Sequence, residues 1–406
     1  MRLCLYKKGG KRSSATKIAL SAASVSETDT LYAQPRIFSG GFPLVALFVW
    51  FEKFIMRLPW QTSPPLIVQI RNIFYTIVMN VLLAMQGAVA QGVLWGIMTV
   101  GVFMTFRILN IADMTCDGSF ALGGSTCAIL IVKGHSPLFA LLISFFAGMI
   151  AGLATGFLHT KLKIHEILAG ILSMIALYSI NIRVMGKANT PLLGVTTLMS
   201  KLQKASGLSS NQASLVVGVI FCIIFVAALY WFLGTEIGAS LRATGNNPRM
   251  VRALGVNTDT MKILGLMLSN GLIATSGALV AQSQGYADVG MGTGTIVVGL
   301  ASIILGEVIF GYFGKFLPFW FTLISVILGS VVYRIIIAIV LQLGLKSTDL
   351  KLLTAVIVAL ALSIPVIKKG FSHTFLRKRE SEVKLPKEAV HTRQETVDAR
   401  KEGANA

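Results

Sequence analysis

The sequence predicts an all-α polytopic membrane bundle, and three observations carry that prediction. Hydrophobic residues make up 54% of the chain and charged ones 13%, against about 25% charged in soluble domains. Between Met79 and Gly370 the only carboxylates are Asp113, Asp117, Glu166, Glu236, Asp259, Asp288, Glu307 and Asp349. Between these acids lie apolar runs, each near the roughly 20 helical residues that cross a bilayer core. Open strands cannot satisfy their backbone groups in lipid, so the runs read as helices.

Taken in order, residues 1–78 form an N-terminal extension with ten basic and three acidic residues. Its one apolar patch, Phe42 to Met56, contains Glu52 and Lys53; it either adds a tenth span or lies in the membrane interface. Nine core spans follow in a transmembrane domain, 79–370, at 82–106, 118–132, 137–157, 166–185, 213–233, 261–283, 293–310, 316–342 and 352–367. Glycines recur inside them, as in "AGMIAGLATG", and suit helices that approach closely. Residues 371–406 mix both charge signs with Pro386 and predict a disordered cytoplasmic tail.

The net charge of +19 would raise nucleic acid as a partner in a soluble protein. Here the excess sits in tails and short loops, where cations set topology and meet anionic lipid, so lipid is the expected partner and nucleic acid is not. Cys4, Cys116, Cys127 and Cys222 form no CxxC and no disulfide framework; the last three read as small packing residues. No metal site or cofactor is expected. The loop from Thr235 to Lys262 carries Arg242, Arg249, Arg252 and Lys262 against Glu236 and Asp259, which places it in the cytoplasm, and Lys368 and Lys369 place the end of the last span there too. The basic residues Arg183, Lys187, Lys201 and Lys204 fall in a loop that the same count puts outside.

Two stretches echo each other. "NIADMTCDGSFALGGSTCAILI" from Asn110 aligns with "GYADVGMGTGTIVVGLASIILG" from Gly285, pairing Ala112 with Ala287, Asp113 with Asp288 and Gly124 with Gly299. The helices concerned are five spans apart, an odd offset, so the chain is expected to hold an inverted internal repeat with interrupted helices, a common way to build a central pathway. The plainer reading is two turns capped by Asp. In the first stretch Asp117, Gly118 and Ser119 are placed to cap a helix start. In the second, Gly290, Gly292 and Gly294 with Thr293 and Thr295 read as a flexible break lining the pathway, because no Walker lysine accompanies the glycines.

The loop "GTEIGASLRATGNNPRMVRALGV" from Gly234 has its own structure. Asn246, Asn247 and Pro248 start a short helix, which stops at Gly255. Basic on one side and apolar on the other, it suits a partner's groove, or it is a solvated positive loop.

The strings "GVLWGIMTVGVFMTFRILNIADMTCDGSF", "YSINIRVMGKANTPLL" from Tyr178, "LRATGNNPRMVRALGV" from Leu241 and "LGLKSTDLKLLTA" from Leu343 carry a resemblance. From Met79 to Pro365 the chain resembles permease subunits of bacterial ABC importers of the branched-chain amino acid and ribose type, and among them the tryptophan/tyrosine-type permeases. The resemblance implies a multi-pass subunit in the bacterial inner membrane that moves an aromatic or branched amino acid. It implies a second permease copy, a cytosolic ATPase subunit that does the ATP chemistry, and an extracytoplasmic binding lipoprotein. Within the cytoplasmic loop 234–260 it assigns coupling to Arg242, Thr244, Gly245, Asn246, Asn247, Arg249, Arg252 and Gly255, and it assigns Asp113, Asp117, Ser119 and Asp288 to the pathway. Asn110 departs from the family, where Asp is frequent. Two other classes stay open: an ion-coupled secondary transporter using Asp113, Asp117 and Asp288, and an intramembrane enzyme using His159, His165 and Glu166, although no HExxH spacing occurs.

Overall fold

The first long apolar run forms α1 (Pro65–Phe103), which loosens into one π-helical turn (Met104–Ile108). Leu109 N–H donates across a five-residue step to the Met104 carbonyl at 3.1 Å, and Asn110 then takes a left-handed backbone, φ 59°. Asn is among the few non-glycine residues enriched in that region, so the helix ends here without Pro or Gly. α2 (Thr115–Val132), α3 (Pro137–Thr160) and α4 (Glu166–Met185) follow. After them come a short strand β1 (Asn189–Pro191), the surface helix α5 (Leu198–Ser206) and α6 (Ser210–Gly234). Two short helices, α7 (Glu236–Asn246) and α8 (Pro248–Ala253), lead into α9 (Thr258–Gln284), strand β2 (Tyr286–Asp288), a 3₁₀ turn (Val289–Gly292), α10 (Thr295–Gly314) and α11 (Phe319–Gln342).

This computed structural model describes residues 65–314 and 319–342, with single positions 352, 354–356, 359 and 363 beyond them. The chain divides into the units Met1–Arg71 and Asn72–Ala406, the second of which holds the helical bundle. Among the described residues eight helices are long and apolar enough to cross a membrane: Leu83–Ile108, Thr115–Val132, Pro137–Thr160, Glu166–Met185, Ser210–Gly234, Thr258–Gln284, Val289–Phe310 and Phe319–Gln342. They coincide with the first eight predicted spans. The ninth, 352–367, lies largely outside the described residues, as do Phe42 to Met56, Asp349 and the tail. The domain start at Met79 falls inside α1, which already begins at Pro65.

α3 shows why these helices need lipid. Leu138, Leu142, Phe146, Ile150, Leu153 and Phe157 are exposed, while Ala140, Ser144, Gly148, Gly152 and Thr155 are buried. Large apolar residues outward and small ones inward invert the pattern of a soluble helix. The inward stripe lets backbones touch: a Cβ added at Gly148 would meet the Asn270 carbonyl, one at Gly152 the Leu266 carbonyl, and one at Gly156 the Ile263 Cα, all on α9. α9 is thus the central post, with α2 on another side, where Gly123 abuts Ala274 and Gly277 abuts Phe120. Cys116, Cys127 and Cys222 are free and buried, as their packing role requires.

The segment between α4 and α6 is more than a loop. β1 pairs antiparallel with β2, Asn189 opposite Asp288, Thr190 opposite Ala287 and Pro191 opposite Tyr286. Strands of three residues are too short to show a period in sequence.

Candidate functional site

Two helix starts meet inside the bundle, and Asp117 joins them. Although Asp117 sits in the first turn of α2, it does not cap that helix, as its position had predicted. Its Oδ2 accepts the Gly294 N–H at 2.8 Å, and its Oδ1 accepts the Thr295 hydroxyl at 2.7 Å and the Ile296 N–H at 3.0 Å. It therefore caps α10 from another helix, taking up orphan N–H groups at a positive helix end. Gly294, at φ +84°, supplies the left-handed backbone this turn requires. Gly292 packs so closely that an added Cβ would strike the Asp117 carbonyl.

The cap at α2 belongs instead to Asp113, whose Oδ1 accepts the Thr115 N–H at 2.9 Å. Its Oδ2 accepts from Asn270 Nδ2 at 2.7 Å, and Asn270 Oδ1 accepts the Ser119 hydroxyl at 2.7 Å. Asp113, Ser119 and Asn270 are all buried. Ser119, also read as a cap, is thus a network member holding α2 to α9. Asp288 repeats the local bond of Asp113, accepting the Gly290 N–H two residues on at 2.7 Å, with Asn189 Nδ2 at 3.4 Å. Thr293 is exposed and donates to the Gly290 carbonyl at 2.9 Å. So Asp117, Asp288, Thr293 and Thr295 gather at the start of α10, while Asp113 and Ser119 form a separate buried triad with Asn270.

The loop 234–260 folds as its Asn and Pro foretell. Asn247 caps α8 through Oδ1, which accepts the Met250 N–H at 3.1 Å, and Pro248 occupies the first turn. Gly255 follows at φ +86°. The preceding α7, not foreseen as a helix, is capped by Thr235. Thr244 is buried and donates to the Ser240 carbonyl at 2.7 Å, and a Cβ on Gly245 would fall on the Ile108 carbonyl. Arg242 lies 5.9 Å from the Phe319 ring centre. Arg252 donates to the Thr258 hydroxyl at 2.7 Å and stands 3.6 Å from Asp259. Asn246, Asn247 and Arg249 are exposed, and so are the apolar Met250 and Leu254, at 55% and 70%. The loop therefore presents Met250 and Leu254 among cations, on a base locked to the end of α1.

Comparison with known proteins decides the family. The family described as branched-chain amino acid transport system, permease component, matches residues 84–363. The chain belongs to this permease family. A tyrosine transport system permease protein of Clostridioides difficile is 42% identical over 268 residues, 66% of this chain and 86% of the relative. An uncharacterized protein of Rickettsia prowazekii is 34% identical over 287 residues, 70% of this chain and 98% of the relative. An autoinducer 2 import system permease protein of Yersinia pseudotuberculosis is 26% identical over 221 residues, 52% of this chain and 58% of the relative. No solved structure matches the chain. With its apolar helices, this permease is a multi-pass protein of the inner membrane.

Three residues of this permease escaped sequence reasoning. Asn270 looks like one polar residue in a mixed helix, and only the fold shows it bridging two others. Glu307, in α10, forms a two-pronged pair with Arg107, 2.8 Å at both contacts. Arg334 did leave a signal: from Phe316 to Leu345 it is the only charged residue. His159, by contrast, is structural, contacting the Ile164 carbonyl at 3.0 Å and Lys262 Nζ at 3.1 Å. Among the described residues no three His, Cys, Asp or Glu side chains converge as a metal site.

Proposed function

We propose that this permease passes an amino acid across the membrane as one of two permease copies, driven by a separate cytosolic ATPase subunit that grips α7 and α8 and supplied by an extracytoplasmic binding lipoprotein. The observation that carries this reading is the loop geometry. Exposed Met250, Leu254 and Arg249 offer an apolar and cationic handle, while Gly245 presses on Ile108, directly beneath the turn between α1 and α2. A pull on the handle is delivered to the helix break. Arg242, Thr244, Asn246, Asn247, Arg252 and Gly255 keep the handle rigid. Asp113, Asp117, Ser119, Asp288, Thr293 and Thr295 serve as the articulated pathway segments, positioning backbone rather than gripping solute. An amino-acid solute is supported by the family description and by the tyrosine permease relative.

The ion-coupled reading needs Asp113, Asp117 or Asp288 free to take an ion. Protein donors already occupy both oxygens of Asp113 and of Asp117, which counts against it. Proteoliposomes test the choice. The full complex should accumulate amino acid with ATP after proton and sodium gradients are collapsed, and Arg249→Glu with Met250→Asp should abolish uptake while the complex still assembles. Uphill, gradient-driven accumulation by this chain alone would overturn the proposal.

A further inference from the structure

A cation is stranded inside the last described span. Arg334 lies 15 residues beyond Phe319 in the 24-residue α11, about 22 Å along the helix at 1.5 Å per residue. With Phe319 beside Arg242 of the cytoplasmic loop, Arg334 belongs to the extracytoplasmic half of the span. A charge at such depth carries a cost of several kcal/mol and marks a functional site by default. The guanidinium does not reach for an acid. Among the described residues the ion pairs are Arg107–Glu307 and Arg252–Asp259, and Arg334 Nε is buried with no hydrogen-bond partner. Instead the guanidinium carbon stacks 3.9 Å from the Trp95 ring centre, which fixes the plane of the fork and leaves its Nε–H unspent.

The surroundings are furnished to match. Among the described residues Trp95 Nε1 is a second buried donor without a partner, and Gln91, one turn away on the same face of α1, has a buried Oε1 without one. Gln91 Nε2 reaches Ser283 at 3.4 Å, and Ser283 donates to Ser214 at 3.1 Å. Phe120 packs against Trp95 with ring centres 4.9 Å apart. Buried polar groups are ordinarily paired, so unpaired donors on α1 and α11 describe the shape of something that pairs them: a planar anion for the guanidinium fork, with an acceptor left over at Gln91 for an ammonium or amide. We infer that Arg334, Trp95 and Gln91 form a recognition site for the carboxylate of the transported amino acid, held in the extracytoplasmic half of the bundle.

This site rests on the amino-acid reading above, and its test separates the two. Trp50, Trp60, Trp231 and Trp320 are changed to Phe, leaving Trp95 as the one reporter among five tryptophans. The full complex is placed in phosphatidylcholine nanodiscs. The standard amino acids and their decarboxylated amines, tyramine for tyrosine, are titrated while Trp95 emission is read. At least one amino acid should change the emission, and its amine should bind about tenfold more weakly or worse, the usual loss for one charge-assisted hydrogen bond. Arg334→Gln should remove the response and Arg334→Lys restore part of it, while both variants still elute as the intact complex on size exclusion. A response to amino acid that survives Arg334→Gln overturns the site, and so does ATP-driven uptake with no Trp95 response. A response that follows added phosphatidylglycerol and ignores amino acids assigns the same fork to lipid phosphate and likewise overturns it. Absence of uptake for every amino acid removes the parent reading, and this one with it.

Discussion

At the scale of single residues, the acid that matters most is Asp117, because its three donors belong to a helix 177 to 179 residues away in sequence. A carboxylate has two oxygens that accept and none that donates, so it can hold two backbone N–H groups and a hydroxyl at once. Asparagine cannot. Its amide nitrogen would face either the Gly294 or the Thr295 and Ile296 donors. Asp117→Asn should therefore lower the stability of the purified permease by about 1 kcal/mol, and Asp117→Ala by more, since the loss of a partly exposed helix cap costs on that order. Denaturation midpoints in detergent measure this; an unchanged midpoint for Asp117→Ala would mean that α10 finds another cap. The sequence placed Asp117 near a helix start and was right about that much. Which helix it caps is long-range information that no local spacing carries, and for that reason Asp117 leaves the cap of α2 to Asp113, whose own reading as a turn cap holds.

Among the elements, α3 and α9 form the seam that sets the bundle. Gly148, Gly152 and Gly156 recur every four residues and meet Asn270, Leu266 and Ile263 in reverse order, which is one antiparallel line of contact. In lipid such a seam is held by close packing, since tails solvate leucine as well as a neighbouring helix does. Gly152→Leu puts a side chain into α9 backbone, where nothing flexible can yield, and should cost about 1–3 kcal/mol or prevent folding. Leu153→Ala, one residue on but exposed, should change the midpoint little. Equal effects from the two would place α3 the other way round. This element was legible in advance because glycine spacing and span length are local properties. α5, α7 and the β1–β2 pair were not, since each is short and is held by contacts from distant segments, as Leu198 N–H is by the Gln282 side chain at 2.9 Å.

For the whole molecule, the span pattern was readable because lipid forces every backbone group to pair within its own helix, whereas the contacts between the two halves were not. Arg107 follows α1 and Glu307 lies in α10, and their paired contacts tie early chain to late chain. Both are partly exposed, 55% and 30%, so as a static clamp the pair is worth about 0–1 kcal/mol. Arg107 sits in the π-helical turn immediately before Ile108, the residue on which Gly245 rests, so on the proposed coupling a motion delivered through the loop would displace one partner from the other. A contact that weak can open and re-form in each cycle without trapping the permease. Reversing either charge alone, Arg107→Glu or Glu307→Arg, should lower ATP-driven uptake severalfold while leaving the thermal midpoint nearly unchanged, and reversing both should restore uptake. Raising salt should mimic part of the single-reversal defect, because partly exposed pairs are screened over roughly 8 Å at physiological ionic strength. If the double reversal is no better than either single, the pair does not close the pathway and motion from the loop must reach α10 by way of α9.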